Sequence, residues 1–264
     1  TREAVRFIEK NKNQPFFLYL PHFAVHGPLQ VTQKYYDRFP TIEDEATRIY
    51  AAMTSALDDS IGAVMDKIEG LGLEKNTLII FASDNGAGFA GYSNNSPLRK
   101  GKHTMFEGGV RVPFAMKWPG KIPAGVTYNK PISSLDVFPT VVAAVKGKLP
   151  QKTSLDGVNL LPYLDGSNTA APHKNFFWRS GEIWASRQAE WKLIYAGNRY
   201  WLYNLSDDIG ETINLAESNK DLVDQIKASY DNWNMKNIDP LWPPSGPKTG
   251  ASYAIDGVPI NWHF

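Results

Sequence analysis

One pattern constrains this chain before any other: a long amphipathic stretch lies between two short apolar runs. From about Glu45 to Glu69, the residues Ile49, Met53, Leu57, Ile61, Val64 and Ile68 recur every three or four positions, which predicts a helix with one buried stripe. Gly70 and Gly72 mark its end. Phe16–Leu20 ahead of it and Thr77–Ala82 behind it have the length and composition of buried strands. Strand, long helix and strand make a βαβ unit, and such units build parallel sheets flanked by helices.

The rest of the chain extends this pattern and then departs from it. A helix is predicted over Glu3–Lys12, a strand over Val112–Trp118 and a helix over Leu135–Lys146. From Pro150 to Gly166 the periodicity weakens into a connector. Seven of the eight tryptophans lie beyond residue 170, so the second portion has its own composition. There Lys192–Tyr195 and Tyr200–Asn204 flank Ala196-Gly197-Asn198, a hairpin signal. Leu222–Trp233 reads as a helix, and the Pro- and Gly-rich tail from Asp239 to Phe264 reads as irregular. The expected fold class is α/β: a mostly parallel sheet flanked by helices over residues 1–165. A smaller α+β subdomain with an antiparallel sheet follows over residues 166–264.

Composition removes several function classes. At 264 residues and 42% hydrophobic content the chain has enough apolar surface for a core. A net charge of +1 gives no whole-molecule attraction to nucleic acid or anionic lipid. With no cysteine there is no disulfide, thiolate zinc site or cysteine nucleophile within these residues. No apolar run approaches the roughly 20 residues that span a bilayer.

Three segments carry possible chemistry. Ser83-Asp84-Asn85-Gly86 follows a predicted strand, at the edge where ligand sites of open α/β sheets gather. Asp84 and Asn85 offer hard oxygen donors suited to Ca²⁺ or Mg²⁺, although two donors are fewer than such ions take. Asp-Asn-Gly is equally a common turn. His26, on the loop after Phe16–Leu20, fits a general acid or an anion ligand, or a plain surface histidine, with His22 as its competitor. Arg99-Lys100-Gly101-Lys102-His103 fits a sulfate or phosphate site, or a solvated basic turn. The late tryptophans fit sugar stacking or, more simply, core packing.

The order of the pieces is more specific than any one of them. FFLYLPHFAVHGPLQ, ALDDSIGAVMDKIEGLGLEKNTLIIFASDNG, PLRKGKHTMFEGGVRVPFAMKWPGKI, ISSLDVFPTVV, RQAEWKLI and LYNLSDDIGETINLAE together resemble the type I, formylglycine-dependent sulfatases of the alkaline-phosphatase-like superfamily. The resemblance runs from about Pro15 to Ala216. It implies that Asp84 and Asn85 are metal ligands, with Ca²⁺ expected ahead of Mg²⁺. It implies that Lys102, in K-x-x-x-x-E-G-G, holds the sulfate, with Lys100 as the fallback. It implies that His26 stands at the leaving-group oxygen. Glu107, Gly108, Gly109 and Arg111 resemble a structural turn.

The family's paired metal-binding aspartates and its Cys- or Ser-x-Pro-x-Arg motif have no counterpart here; Asp58-Asp59 sits within the predicted helix. The expectation is therefore the carboxyl-terminal half of a sulfatase, with formylglycine supplied upstream and the amino-terminal half as partner. This chain alone is expected to be inactive. The substrate implied is a sulfated carbohydrate or aryl sulfate, and the compartment is periplasmic or extracellular. Alternatives are a phosphate or phosphonate ester hydrolase of the same superfamily, and a non-catalytic sugar-binding remnant.

Overall fold

The computed structural model describes residues 1–88, 91–149, 154–239 and 252–261. Helix α1 (Arg2–Asn11) and the short α2 (Gln33–Tyr36) both pack on α3 (Glu45–Gly70). The ends of α3 follow from local chemistry. Asp44 caps it by accepting the Thr47 N–H at 2.8 Å. Gly72 stops it in the left-handed region, φ +67°, where the Leu73 N–H reaches Ile68 O and the Gly72 N–H reaches Glu69 O. Those are the paired bonds of a Schellman cap. Of the predicted stripe, Met53 and Ile68 are buried, while Ile49, Leu57, Ile61 and Val64 are only half-buried. A helix of 26 residues is about 39 Å long, and two shorter helices cannot cover it.

After α3 the chain forms β1 (Ile79–Ala82), the turn α4 (Glu107–Val110) and β2 (Phe114–Lys117), followed by α5 (Val137–Ala144) and α6 (Leu161–Leu164). Strands β1 and β2 pair antiparallel, Ile79 opposite Lys117 through Ala82 opposite Phe114. The expected parallel pairing is absent among the described residues, where every ladder is antiparallel. Phe16–Leu20 joins no ladder among the described residues, and Phe17 and Tyr19 are 72% and 76% exposed. A parallel strand needs apolar cover on both faces. Here alternate side chains of the segment meet solvent.

The second portion is a four-stranded antiparallel meander of β3 (Asn175–Ser180), β4 (Ile183–Gln188), β5 (Trp191–Ala196) and β6 (Arg199–Asn204). Gly197 and Asn198, at φ +56° and +58°, turn the β5–β6 hairpin. Both faces of this sheet are covered. Trp184, Leu193 and Leu202 pack with Val223, Ile226 and Tyr230 of α7 (Lys220–Asn234), and Trp184 stacks on Tyr230 at 4.0 Å. The opposite parity, Ala185, Ile194, Trp201 and Tyr203, packs on Met105 and Phe106 and on a hairpin of β7 (Ser252–Ile255) and β8 (Val258–Asn261).

That hairpin corrects the expectation of an irregular tail, most of whose other residues lie outside the described ones. Asp256-Gly257, both at positive φ, make its turn. Trp184 and Trp201 are buried, while Trp178, Trp191 and Trp233 pack against the two cores, so these five rings serve the core. Trp242 and Trp262 lie outside the described residues. Among the described residues no helix is long and apolar enough to cross a membrane.

Candidate active site

Two loops meet at the end of β1, and glycine makes their approach possible. The strand-end loop begins with Ser83, whose N–H reaches Pro113 O at 3.1 Å and prolongs the β1–β2 ladder by one rung. Asp84 Oδ1 accepts the Asn85 N–H at 2.9 Å, and Asn85 Nδ2 donates to Gly86 O. The Gly86 N–H then bonds to Gly109 O at 3.1 Å. A Cβ on Gly86 would sit 1.7 Å from Gly108 O, and one on Gly101 would sit 2.0 Å from Ala87 O. Only glycine fits at either point. The Lys102 N–H completes the seam by bonding to Ala87 O at 3.0 Å. The Asp84–Asn85 turn and the basic loop are thus neighbours.

Lys102 Nζ lies 3.3 Å from His26 Nε2, across 76 positions of sequence. His26 Nδ1 lies 2.9 Å from Gly27 O. A carbonyl only accepts and an ammonium only donates, so the two contacts together fit the tautomer with its proton on Nδ1. It is Lys102, not Lys100, that makes this contact. Lys100 contributes its backbone carbonyl to Asn95 Nδ2 at 2.9 Å. Burial and the adjacent Lys102 charge hold the His103 pKa below its usual 6.5. His22 is likewise lowered, chiefly by burial.

Asp84 and Asn85 suit a hard cation in the type of their donors and not in number. Among the described residues no group of three His, Cys, Asp or Glu is placed to hold a metal. A cavity of about 1650 Å³ opens beside Ser83 and Asp84 and extends past Arg111, Lys130, Trp178 and Arg187. It is lined by neither Lys102 nor His26, and it exceeds the roughly 300–1,000 Å³ of a ligand pocket.

Sequence reasoning missed a buried ionic cluster behind the basic loop. Lys192 Nζ sits 2.9 Å from Glu107 Oε1 and 3.0 Å from Glu211 Oε1, and Arg187 Nη1 lies 3.4 Å from Glu107 Oε2. Burial raises the pKa of Glu211 against the pull of Lys192. Burial also acts to raise the pKa of Glu107, but Lys192, with Arg187 and Arg111, overcomes it and lowers the pKa. The available signal was Lys192 itself, a lysine inside the apolar run of β5. A second pair joins the half-buried His173 Nε2 to the buried Asp136 at 2.8 Å. Asp136 also accepts the Ser133 and Val158 N–H groups, so it is a structural anchor.

The chain matches the sulfatase family model over residues 1–147 and the model for the carboxyl-terminal part of N-sulphoglucosamine sulphohydrolase over residues 100–239. A sulfatase of Formosa agariphila is 33% identical over 87% of this chain and 48% of its own length. Human arylsulfatase D is 36% identical over 69% of this chain and 31% of its own. The crystal structure of Ps i-CgsB in complex with k-i-k-neocarrahexaose superposes with a TM-score of 0.85 at 36% identity, covering 91% of this chain and 55% of that one. The PsFucS1 sulfatase of Pseudoalteromonas sp., at 24% identity and a TM-score of 0.75, shares the fold over 90% of this chain. The chain spans about a third to a half of the length of these relatives. Its fold is that of the alkaline-phosphatase-like sulfatases, and the chain belongs to the sulfatase family.

Proposed function

We propose that this chain supplies part of the active site of a sulfuric ester hydrolase acting on a sulfated carbohydrate or an aryl sulfate. The observation that carries this reading is the 3.3 Å contact of Lys102 Nζ with His26 Nε2, with Lys102 on the loop that runs against the Asp84–Asn85 turn. The Lys102 ammonium binds the sulfuryl oxygens and offsets the charge that grows on them. His26, held by Gly27 O at Nδ1, presents Nε2 to the departing alkoxide oxygen and, when protonated there, gives that oxygen its proton. Lys100, on the same loop as Lys102, is the fallback for sulfate binding. Asp84 and Asn85 form part of the shell of a Ca²⁺ ion. Bound there, Ca²⁺ supplies Lewis-acid stabilisation of sulfate, and a formylglycine contributed by further polypeptide supplies the nucleophile.

A carbohydrate substrate is favoured by the neighbour solved with a neocarrahexaose, and the compartment that suits this reading is the periplasm or the outside of the cell. Residues 1–165 belong to the catalytic α/β domain and residues 166–264 to the smaller subdomain. The remaining metal ligands come from the amino-terminal half of the same protein. The test is turnover of a generic aryl sulfate by the full-length protein, with an aryl phosphate as the comparison. Hydrolysis of the phosphate alone, or of neither ester, would reject the assignment.

A further inference from the structure

The segment that carries Lys102 is held at both ends by one residue of the other subdomain. At its start, Arg99 Nη1 donates to the backbone carbonyl of Glu211 at 2.5 Å, while its Nη2 reaches Asp256 Oδ1 at 3.0 Å. At its end, Glu211 Oε2 accepts the backbone N–H of Glu107 at 2.6 Å. Lys192, with no solvent exposure, ties the Glu107 and Glu211 carboxylates together. Between these grips the backbone is strained. Lys100 and His103 sit at φ +60° and +71°, where side-chain-bearing residues persist only when their surroundings over-determine them.

A buried ion cluster is not an economical way to join two layers. Apolar residues of the same volume do so at least as well. What an apolar contact cannot do is fix direction, and the charge-assisted bonds here point at defined atoms at each end of one short loop. We propose that Glu211 is a positioning residue for Lys102. By gripping Arg99 through its carbonyl and Glu107 through its carboxylate, it holds the Lys102 ammonium against His26. The inference rests on the sulfate-binding reading of Lys102.

The experiment uses the full-length protein with Glu211→Ala, Glu211→Gln and, as a control of stability alone, Val223→Ala. Val223, on α7, is buried against the opposite face of the sheet. Amide hydrogen exchange is read on the peptide covering residues 100–106, and kcat/KM on an aryl sulfate. Glu211→Ala is expected to speed exchange of that peptide about tenfold and to lower kcat/KM about 100-fold, the effect of a roughly 1 Å misplacement. Glu211→Gln keeps the side-chain volume and an acceptor for the Glu107 N–H. It is expected to move both readouts in the same direction by less, and it serves if the alanine variant does not fold. Val223→Ala is expected to change kcat/KM less than twofold.

Unchanged exchange at residues 100–106 in both Glu211 variants overturns the proposal. So does faster exchange with unchanged kcat/KM, or an equal response in Val223→Ala. An unmodified protein that hydrolyses no sulfate ester overturns the functional reading instead, whatever the exchange data show.

Discussion

Replacing Lys192 by methionine removes the charge that two buried carboxylates share while keeping most of the side-chain volume. Glu107 retains Arg187 at 3.4 Å. Glu211 retains only the Glu107 N–H, and its neighbour across the gap is another carboxylate. Breaking a buried ion pair on one side costs about 3–5 kcal/mol. The variant has one escape, which is to protonate Glu211. From an ordinary value of 4.5, holding a proton at pH 7 costs about 2.5 × 1.36, or roughly 3.4 kcal/mol. At pH 5 the same step costs about 0.7 kcal/mol.

The sign follows from the raised pKa. A carboxyl group raised in the folded state stabilises most below its unfolded value and destabilises as pH rises through its folded value. The penalty of Lys192→Met is therefore about 3–4 kcal/mol at pH 7 and shrinks by about 2–3 kcal/mol at pH 5. Urea titration of the full-length variant and parent at both pH values, followed by tryptophan fluorescence, measures the difference. A penalty under about 1 kcal/mol at pH 7, or one independent of pH, would refute the placement of a charged, dry Lys192 between two carboxylates.

Four further outcomes are expected. Lys102→Ala lowers kcat on an aryl sulfate about 10²–10³-fold, the size of one lost oxyanion donor, with little change in Tm; near-normal turnover would move the role to Lys100. Ca²⁺ at 100 times its Kd stabilises the full-length protein by about 2.7 kcal/mol, and the thermal shift shrinks in Asp84→Ala; an undiminished shift excludes Asp84 as a ligand. Glu107→Gln flattens the acid limb of the stability curve. A depressed carboxylate stabilises above its ordinary 4.5 and loses this as pH falls through its folded value, so an unaltered limb in urea titrations from pH 6 to 3 counts against it. Residues 1–264 expressed alone show no sulfatase turnover, because they hold no cysteine and two recognised hard donors; metal-dependent turnover by them would refute that account.

Local rules made much of this fold legible. The 3.6-residue stripe located α3, and the glycines after it located its stop, because both are properties of a few adjacent residues. The Ala196-Gly197-Asn198 signal located the β5–β6 hairpin for the same reason. Phe16–Leu20 was misjudged because an apolar run reports that a strand can be buried and not that a partner is at hand. The tail hairpin was hidden because Pro- and Gly-rich sequence looks irregular unless Asp256-Gly257 is weighed as a turn. At the site, Lys102 and His26 stood out as polar, ionisable side chains on loops. Glu211 did not, since its role depends on contacts 104 and 112 residues away.

The same contacts lie where the two family matches overlap. The sulfatase match ends at residue 147 and the carboxyl-terminal match begins at residue 100, so residues 100–147 belong to both. The overlap opens with the loop that the ionic cluster grips. Its backbone bonds at Gly86 and Ala87 attach it to the β1 layer. Its Arg99, Met105, Phe106 and Glu107 attach it to the four-stranded sheet. A segment fastened to two layers cannot shift with one and stay with the other without breaking a buried bond. The position of Lys102 is therefore set jointly by both portions, and on the proposed reading of Lys102 the four-stranded sheet helps to place the sulfate-binding charge.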